Sequence, residues 1–203
     1  MLVVVGGHSP KIGKTSVAAG LIRRLPQFNW TALKITQAGG HACARETGAC
    51  ACEPEPGEPF TLTEAYEPGD TDSGRFLAAG AERSFWLRVS AAELPKAAAV
   101  LKKILKQSEN VIVESTGIVE LVEPDIFLMV VDFSCEDVDP ASIRFLDRAD
   151  AFVLIDRGIN APMWAEIARG AWDTKPRFLV KPPRYTTAAM AEFVRSRLPS
   201  PAR

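Results

Sequence analysis

The sequence lacks the features that mark nucleic-acid-binding, membrane-spanning or disulfide-rich proteins. Lysine plus arginine (24) nearly equals aspartate plus glutamate (25), and the net charge is −1, so there is no basic excess to attract nucleic acid. No apolar run approaches the ~18 residues of a membrane span, and Leu2–Val5 is too short for a secretory signal. We therefore expect a cytoplasmic protein that binds neither nucleic acid nor membranes.

The chain does contain an alternation of apolar strands and amphipathic helices. Its 203 residues are 47% apolar and 24% charged, which is ordinary for one globular domain. The predicted strands are Leu2–Val5, Trp30–Ile35, Ser84–Val89, Val111–Val113, Ile126–Val131, Ala151–Ile155 and Phe178–Val180. The predicted helices are Ser16–Leu25, Ser73–Ala79, Ser90–Gln107, Pro140–Arg148, Met163–Gly170 and Thr187–Leu198. Continuous apolar strands indicate burial on both faces, so we predict a three-layer α/β fold, with a mostly parallel sheet flanked by helices.

One long stretch interrupts this alternation. Residues 37–71 carry glycine, proline, cysteine and glutamate with little periodicity, and we predict a loop insertion within a single domain that spans 1–203. A structureless stretch of this length in a compact domain is often functional.

The segment between the first strand and the first helix has the pattern of a phosphate-binding loop, or P-loop. A turn between a strand and a helix directs backbone N–H groups and the positive end of the helix dipole at phosphate oxygens. Lys14 would bring a positive charge to the β and γ phosphates, and Thr15 a hydroxyl to Mg²⁺. Gly13 lets the backbone approach the ligand closely. The residues predicted to bind a nucleoside triphosphate here are Gly7, His8, Ser9, Pro10, Lys11, Ile12, Gly13, Lys14, Thr15 and Ser16.

The loop departs from the common spacing in one respect. A glycine usually stands five residues before Gly13, and this chain has His8 there, with Gly7 one residue earlier. The lengthened loop resembles that of dethiobiotin synthetase. Two interpretations remain for His8, a structural role or a phosphate contact, and two for Lys11, a phosphate contact (in its own or a neighbouring subunit) or exposure to solvent.

A second segment resembles the molybdopterin-guanine dinucleotide biosynthesis protein B family. Asp72-Ser73-Gly74-Arg75 is followed by Ala79-Gly80-Ala81, and later by the strand end Val113-Glu114-Ser115, in the order found in that family. The resemblance implies a P-loop NTPase fold, GTP binding and a homodimer. The sequence Ile155-Asp156-Arg157-Gly158 does not contain the Asn-Lys-x-Asp pattern that reads guanine, so the base stays open between adenine and guanine.

The end of the last strand is a candidate for the base pocket. Lys181-Pro182-Pro183 stands where dethiobiotin synthetase has a proline-containing loop against the base. The alternative is a simple strand terminator. We include Lys181 and Pro182 among the predicted nucleotide-binding residues.

Three carboxylates are candidates for magnesium ligands or for orienting water. Glu114 ends a buried strand, so it is expected at the carboxyl edge of the sheet, where open α/β folds bind ligands. Asp72 belongs to the Asp-Ser segment, and Asp132 ends another strand. We predict Lys14, Glu114 and Asp72 as catalytic residues, and Thr15, Glu114 and Asp72 as magnesium ligands. Arg75 would pair with a phosphate or with a carboxylate.

Three cysteines and a histidine lie close together in the long loop. His41, Cys43, Cys50 and Cys52 are ligand types that suit Zn²⁺ or an iron–sulfur cluster. Free or redox-active thiols, or a disulfide, are the alternatives. Cys135 stands alone and is expected to be structural.

Three functions fit these features. The first is slow hydrolysis of ATP or GTP by an accessory factor in cofactor or metalloenzyme maturation, acting as a homodimer or with a protein partner. The second is an ATP-dependent synthetase or ligase like dethiobiotin synthetase. The third is a nucleotide sensor without turnover.

Overall fold

Eight strands form one sheet in the computed structural model, which describes residues 1–38, 52–159 and 174–197. The strands are β1 (Leu2–Gly7), β2 (Thr31–Ala38), β3 (Phe60–Ala65), β4 (Arg83–Ser90), β5 (Val111–Glu114), β6 (Ile126–Asp132), β7 (Ala151–Ile155) and β8 (Arg177–Val180). Their order across the sheet is β3-β4-β2-β5-β1-β6-β7-β8. All neighbours are parallel except β3 and β4, which pair antiparallel.

Helices cover both faces of this sheet. The helices are α1 (Lys14–Arg24), α2 (Asp72–Ala78), α3 (Leu94–Gln107), α4 (Pro140–Ile143) and α5 (Ala188–Arg195). Side chains of α1, α2 and α5 pack into the core on one face, and those of α3 into the core on the other. None of these helices is long and apolar enough to cross a membrane. The predicted three-layer α/β architecture is therefore confirmed.

Strand β1 shows why its continuous apolar sequence suits this architecture. Val3 and Val5 point to the face that carries α1, whereas Leu2 and Val4 point to the face that carries α3. All four side chains are fully or almost fully buried, because a central parallel strand is covered on both sides. Every strand that we predicted from an apolar run is present.

The stretch 37–71 is not a loop throughout. Its start completes β2, and Phe60–Ala65 forms β3, an edge strand paired with β4. The sequence Phe-Thr-Leu-Thr-Glu-Ala alternates between apolar and polar residues only over its first four positions, and an edge strand has few buried side chains to reveal it. The prediction of an unstructured insertion was wrong for this part.

Two predicted helices begin or end differently. The segment after Ser90 opens with a 3-10 turn at Ala91–Glu93, and α3 begins at Leu94, without a side-chain cap from Glu93. The predicted helix start at Ser90 is therefore wrong, and Pro95, in the first turn of α3, suits a later start. The predicted helix Pro140–Arg148 divides into α4 and a 3-10 turn at Leu146–Arg148. The predicted helix Met163–Gly170 lies outside the described residues.

The sheet topology brings several strand ends to one edge. Strands β1, β2, β5 and β6 are adjacent and parallel, so their carboxyl ends lie side by side. The loop after β1, Glu114 at the end of β5 and Asp132 at the end of β6 therefore meet at this edge. Ligands of open α/β folds bind at such an edge.

Candidate functional site

The loop between β1 and α1 leaves the start of α1 open. Gly13 is the N-cap residue and has φ 100° and ψ 13°, a left-handed conformation that favours glycine. No side chain caps the helix there. At the other end of the loop, the Gly7 N–H donates to Oγ1 of Thr116 over 2.9 Å, which fixes the end of β1. The uncapped helix start retains the positive partial charge of the dipole for a ligand.

A cavity of about 510 Å³ lies in front of this loop. The predicted loop residues that line it are Gly7, Ser9, Pro10, Lys11, Gly13, Lys14, Thr15 and Ser16. His8 and Ile12 are not among the residues that line it, and both side chains are buried. Burial lowers the pKa of His8 from its ordinary value, so its imidazole is neutral at pH 7. This buried environment favours a structural role for His8, which was one of our two interpretations.

Lys14 stands at the start of α1 with its amine inside the cavity wall. Its Nζ donates to the backbone oxygen of Ser9 over 2.5 Å. Burial lowers the pKa of Lys14, nearby Lys34 lowers it further, and the negative charge of Glu114 acts in the opposite direction. A partly desolvated ammonium of this kind gains much from an anion placed beside it.

Four side chains form a continuous polar chain along the cavity wall. Thr15 donates its hydroxyl proton to Oε2 of Glu114 over 2.7 Å. The Nζ of Lys34 lies 2.8 Å from Oε1 of Glu114 and 2.6 Å from Oδ2 of Asp72. Thr15, Glu114 and Asp72, all predicted from the sequence, are thus brought together by a lysine that the sequence analysis missed.

The position of Lys34 follows from strand register. Strands β2 and β5 pair parallel, and Lys34 and Glu114 are register partners. Burial lowers the pKa of Lys34, but Glu114 and Asp72 together outweigh burial, and the net effect raises the pKa. Lys34 therefore stays charged in the absence of any ligand. A lone lysine in the apolar strand sequence Thr-Ala-Leu-Lys-Ile-Thr is the signal that could have identified it.

Arg75 connects α2 to α1. It lies 3.5 Å from Oδ1 of Asp72, and it donates to Oγ of Ser16 over 2.9 Å. Of the two roles predicted for Arg75, the carboxylate contact is the one present in the structure. All three residues line the cavity, so the guanidinium also faces the space that a ligand would occupy.

Other predicted residues do not line this cavity. Asp132 pairs with Arg157 over 2.7 Å and accepts from the hydroxyl of Ser134 over 2.6 Å. Burial raises the pKa of Asp132, but these contacts outweigh it and hold the pKa below its ordinary value. Neither Lys181 nor Pro182 is among the residues that line the cavity.

Tyr185 lines the cavity in the segment that follows Pro182 and Pro183. A Cβ on Gly13 would come within 2.5 Å of the Tyr185 ring, so the ring rests on the backbone of the P-loop. Tyr185 is a second residue that the sequence analysis missed, since only the prolines before it suggested a pocket.

Of the four predicted soft-metal ligands, His41, Cys43 and Cys50 lie outside the described residues. Cys52 takes part in a disulfide, so its sulfur is not a free thiolate in this structure. Within residues 1–38, 52–159 and 174–197, no three His, Cys, Asp or Glu side chains form a group that could hold a metal. Cys135 carries a free thiol.

Comparison with known proteins supports the fold and does not identify a family. No protein-family model and no curated protein matches the sequence, so the relationship to the molybdopterin-guanine dinucleotide protein stays a prediction. Among solved structures, HypB from Helicobacter pylori in complex with nickel aligns with 100% of this chain and 90% of its own, at 14% identity and a TM-score of 0.50. LpxK from Aquifex aeolicus in complex with ATP aligns with 88% of this chain and 53% of its own, at 17% identity and a TM-score of 0.45. Together with the strand–loop–helix at residues 2–24, the eight-stranded sheet and its flanking helices, this shows that the chain has the three-layer α/β fold of P-loop NTPases.

Proposed function

We propose that the cavity binds a nucleoside triphosphate together with Mg²⁺. The observation that carries this proposal is the contact between Thr15 and Glu114, made beside Lys14 at the open start of α1. A hydroxyl from the first turn of α1 and a carboxylate from the end of β5 meet where the motif requires a metal site. The cavity volume of about 510 Å³ falls within the usual ~300–1,000 Å³ of small-molecule sites.

The cations of the cavity suit a phosphate chain. Lys14, Lys34 and Arg75 all line it, and the first two are partly desolvated. In phosphoryl transfer the protein contributes mainly positioning and neutralisation of charge. Lys14 would hold the β and γ phosphates, and the loop amides would hold the remaining oxygens.

The residues present also fit Mg²⁺. This ion binds oxygen ligands, usually one or two protein carboxylates together with phosphates and waters. Thr15, Glu114 and Asp72 supply a hydroxyl and two carboxylates within one connected set. When bound, Mg²⁺ would neutralise charge on the phosphates. In this structure Lys34 neutralises the same two carboxylates. When Mg²⁺ binds, the Lys34 amine would either move away or share the carboxylates with the metal.

We propose that the bound triphosphate is hydrolysed slowly, with Glu114 orienting the attacking water. Glu114 is only 4% exposed and lies at the end of β5 beside the P-loop. Asp72 is the second candidate, but its side chain is 34% exposed and is shared between Lys34 and Arg75. A buried carboxylate held by two fixed partners is the better positioned of the two.

Phosphate release by carboxylate variants tests this assignment. Glu114→Gln should lower the rate of phosphate release by about 100-fold, the usual size of a lost positioning carboxylate. Asp72→Asn should lower it by less than about tenfold, because Asp72 is more exposed. The dissociation constant of the nucleotide should be measured in the same proteins. Equal rates in wild type and both variants would remove both residues from the reaction.

The cellular role that we favour is that of an accessory factor in cofactor or metalloenzyme maturation, acting as a homodimer or with a protein partner. Two other functions have distinct signatures. A nucleotide sensor would bind the triphosphate without releasing phosphate. A synthetase would release phosphate only after an acceptor is added, and a second cavity beside the P-loop, bounded by α1, α2 and the segment 183–186, is the observation that favours it.

We also propose that the cysteine-containing segment binds a soft or borderline metal when the disulfide of Cys52 is reduced, because only a free thiolate coordinates the metal. The support comes from the residue types alone, His41, Cys43, Cys50 and Cys52 within twelve positions. The solved HypB structure contains nickel, which places nickel beside zinc and iron among the metals to assay.

Metal analysis tests the proposed cysteine site. Wild-type protein purified under reducing conditions should carry about one equivalent of metal by elemental analysis. Cys43→Ser and Cys50→Ser should each lower that content, because a missing thiolate opens the coordination shell. Cys135→Ser, which changes a cysteine far along the chain, is the matched control and should leave the content unchanged. A wild-type protein with no zinc, iron or nickel would contradict the proposal.

A further inference from the structure

The second cavity lies on the outer side of α1. Its volume is about 560 Å³, and it is bounded by α1, α2 and the segment 183–186. It shares Ser16, Arg75 and Tyr185 with the first cavity, so the two are adjacent. We call it the arginine groove, because four arginines line it: Arg23, Arg24, Arg75 and Arg184.

The groove holds an excess of positive charge. Among the described residues, no acidic side chain lines it. Within the described part of the chain, Arg75 is the one member of the four with a carboxylate partner, Asp72 at 3.5 Å. The whole protein has a net charge of −1, so composition does not explain this local excess. Several positive charges that line one groove without an acidic side chain make an anion a favourable ligand there.

Contacts within the protein hold part of the groove in place. Arg24 donates from Nε to Oγ1 of Thr186 over 3.0 Å, and Arg75 donates to Oγ of Ser16 over 2.9 Å. A Cβ on Gly20 would collide with the side chain of Thr186, so the segment 183–186 lies directly against α1 at this glycine. Both guanidinium groups retain further N–H donors for a ligand.

We propose that the arginine groove is a second anion site, which takes a small phosphorylated molecule beside the triphosphate. Guanidinium groups bind phosphate oxygens through pairs of parallel, charge-assisted hydrogen bonds. A groove of this size accommodates a small molecule, and its neighbour across Ser16, Arg75 and Tyr185 is the proposed triphosphate site. The ligand would therefore lie within reach of the nucleotide as its acceptor or its effector. This extends the proposed function, but the anion site does not depend on nucleotide binding.

Calorimetric titration with inorganic pyrophosphate tests the groove separately from the P-loop. Lys14→Ala should keep pyrophosphate binding at the groove within about threefold of wild type, whereas Arg23→Gln/Arg184→Gln should weaken it by about tenfold or more, as expected for lost charge-assisted hydrogen bonds. Arg148→Gln removes an exposed arginine outside both cavities and should have no effect. The proposal is overturned if Lys14→Ala abolishes all pyrophosphate binding while the double variant binds as wild type does.

A second titration distinguishes a separate phosphorylated ligand in the arginine groove from a phosphate of the nucleotide itself. With the protein saturated by a non-hydrolysable triphosphate analogue and Mg²⁺, pyrophosphate should still bind, and Arg23→Gln/Arg184→Gln should still weaken it. If the analogue displaces pyrophosphate, and the double variant weakens the analogue by the same factor, the groove holds part of the nucleotide and the proposal of a second ligand fails. If no analogue binds at all while pyrophosphate binds at the arginines, the groove stands and the nucleotide proposal fails.

Discussion

Replacing Lys14 with alanine should remove nucleotide binding without unfolding the protein. Lys14 lies at the open start of α1 with its amine in the cavity, and its loss would remove the proposed charge-assisted contacts to two phosphates. We expect the dissociation constant of a triphosphate to rise by more than about 100-fold, or roughly 3 kcal/mol. Isothermal titration calorimetry with a non-hydrolysable analogue and Mg²⁺ measures this directly.

The thermal stability of the same variant separates binding from folding. The pKa of Lys14 is lowered, chiefly by burial, so its charged form is less favourable in the folded state than in the unfolded chain. The melting temperature of Lys14→Ala should therefore equal that of wild type or lie slightly above it. Lys103→Ala, an exposed lysine of α3, is the matched control and should change neither quantity. A folded Lys14→Ala protein with wild-type affinity would remove the P-loop assignment.

Replacing Lys34 with methionine should destabilise the protein more than replacing Lys14 or Lys103 with alanine. The variant leaves the carboxylate of Glu114, which is 4% exposed, without its cation, and takes one of two cations from Asp72. Breaking a buried ion pair by removing one partner typically costs ~3–5 kcal/mol. The partial exposure of Lys34 and Asp72 reduces this to about 2–3 kcal/mol, or roughly 5–10 °C in melting temperature.

The pH dependence identifies the charge of Lys34 as the cause. Its pKa is raised in the folded state, so its stabilising contribution is fully present below the unfolded lysine value of about 10.4 and is lost as pH rises through the higher folded pKa. The difference in unfolding free energy between wild type and Lys34→Met should be constant from about pH 6 to 9 and shrink above that.

A second substitution provides the control for this interpretation. The double variant Lys34→Met/Glu114→Gln should recover part of the lost stability, because it no longer buries an unpaired carboxylate. A difference between wild type and Lys34→Met that grows at alkaline pH would contradict the assigned role.

The parts of the fold and site that are local in sequence could be predicted. The strand–loop–helix around Gly13 and Lys14 occupies consecutive residues, so the local sequence was enough to predict it. Glu114, predicted from its place at a strand end, lies beside Thr15. The central strands were recognised because burial on both faces requires continuous apolar sequence.

The parts that depend on strand order could not be predicted. Lys34 reaches Glu114 because β2 and β5 are neighbours in register, although 80 residues separate the two in sequence. The edge strand β3 was missed because its partner, β4, supplies the pairing while its own side chains are only partly buried. Tyr185 meets Gly13 through a distant segment of chain that returns to the P-loop.

A calorimetric titration of the wild-type protein with non-hydrolysable ATP and GTP analogues, in the presence of Mg²⁺, is the decisive test of the nucleotide site. The proposed site predicts one analogue bound per chain, with the metal required for full affinity, and a preference between the two bases would identify the nucleotide. Absence of binding by both analogues at millimolar concentration, in a protein that is folded by circular dichroism, would contradict the proposed nucleotide site.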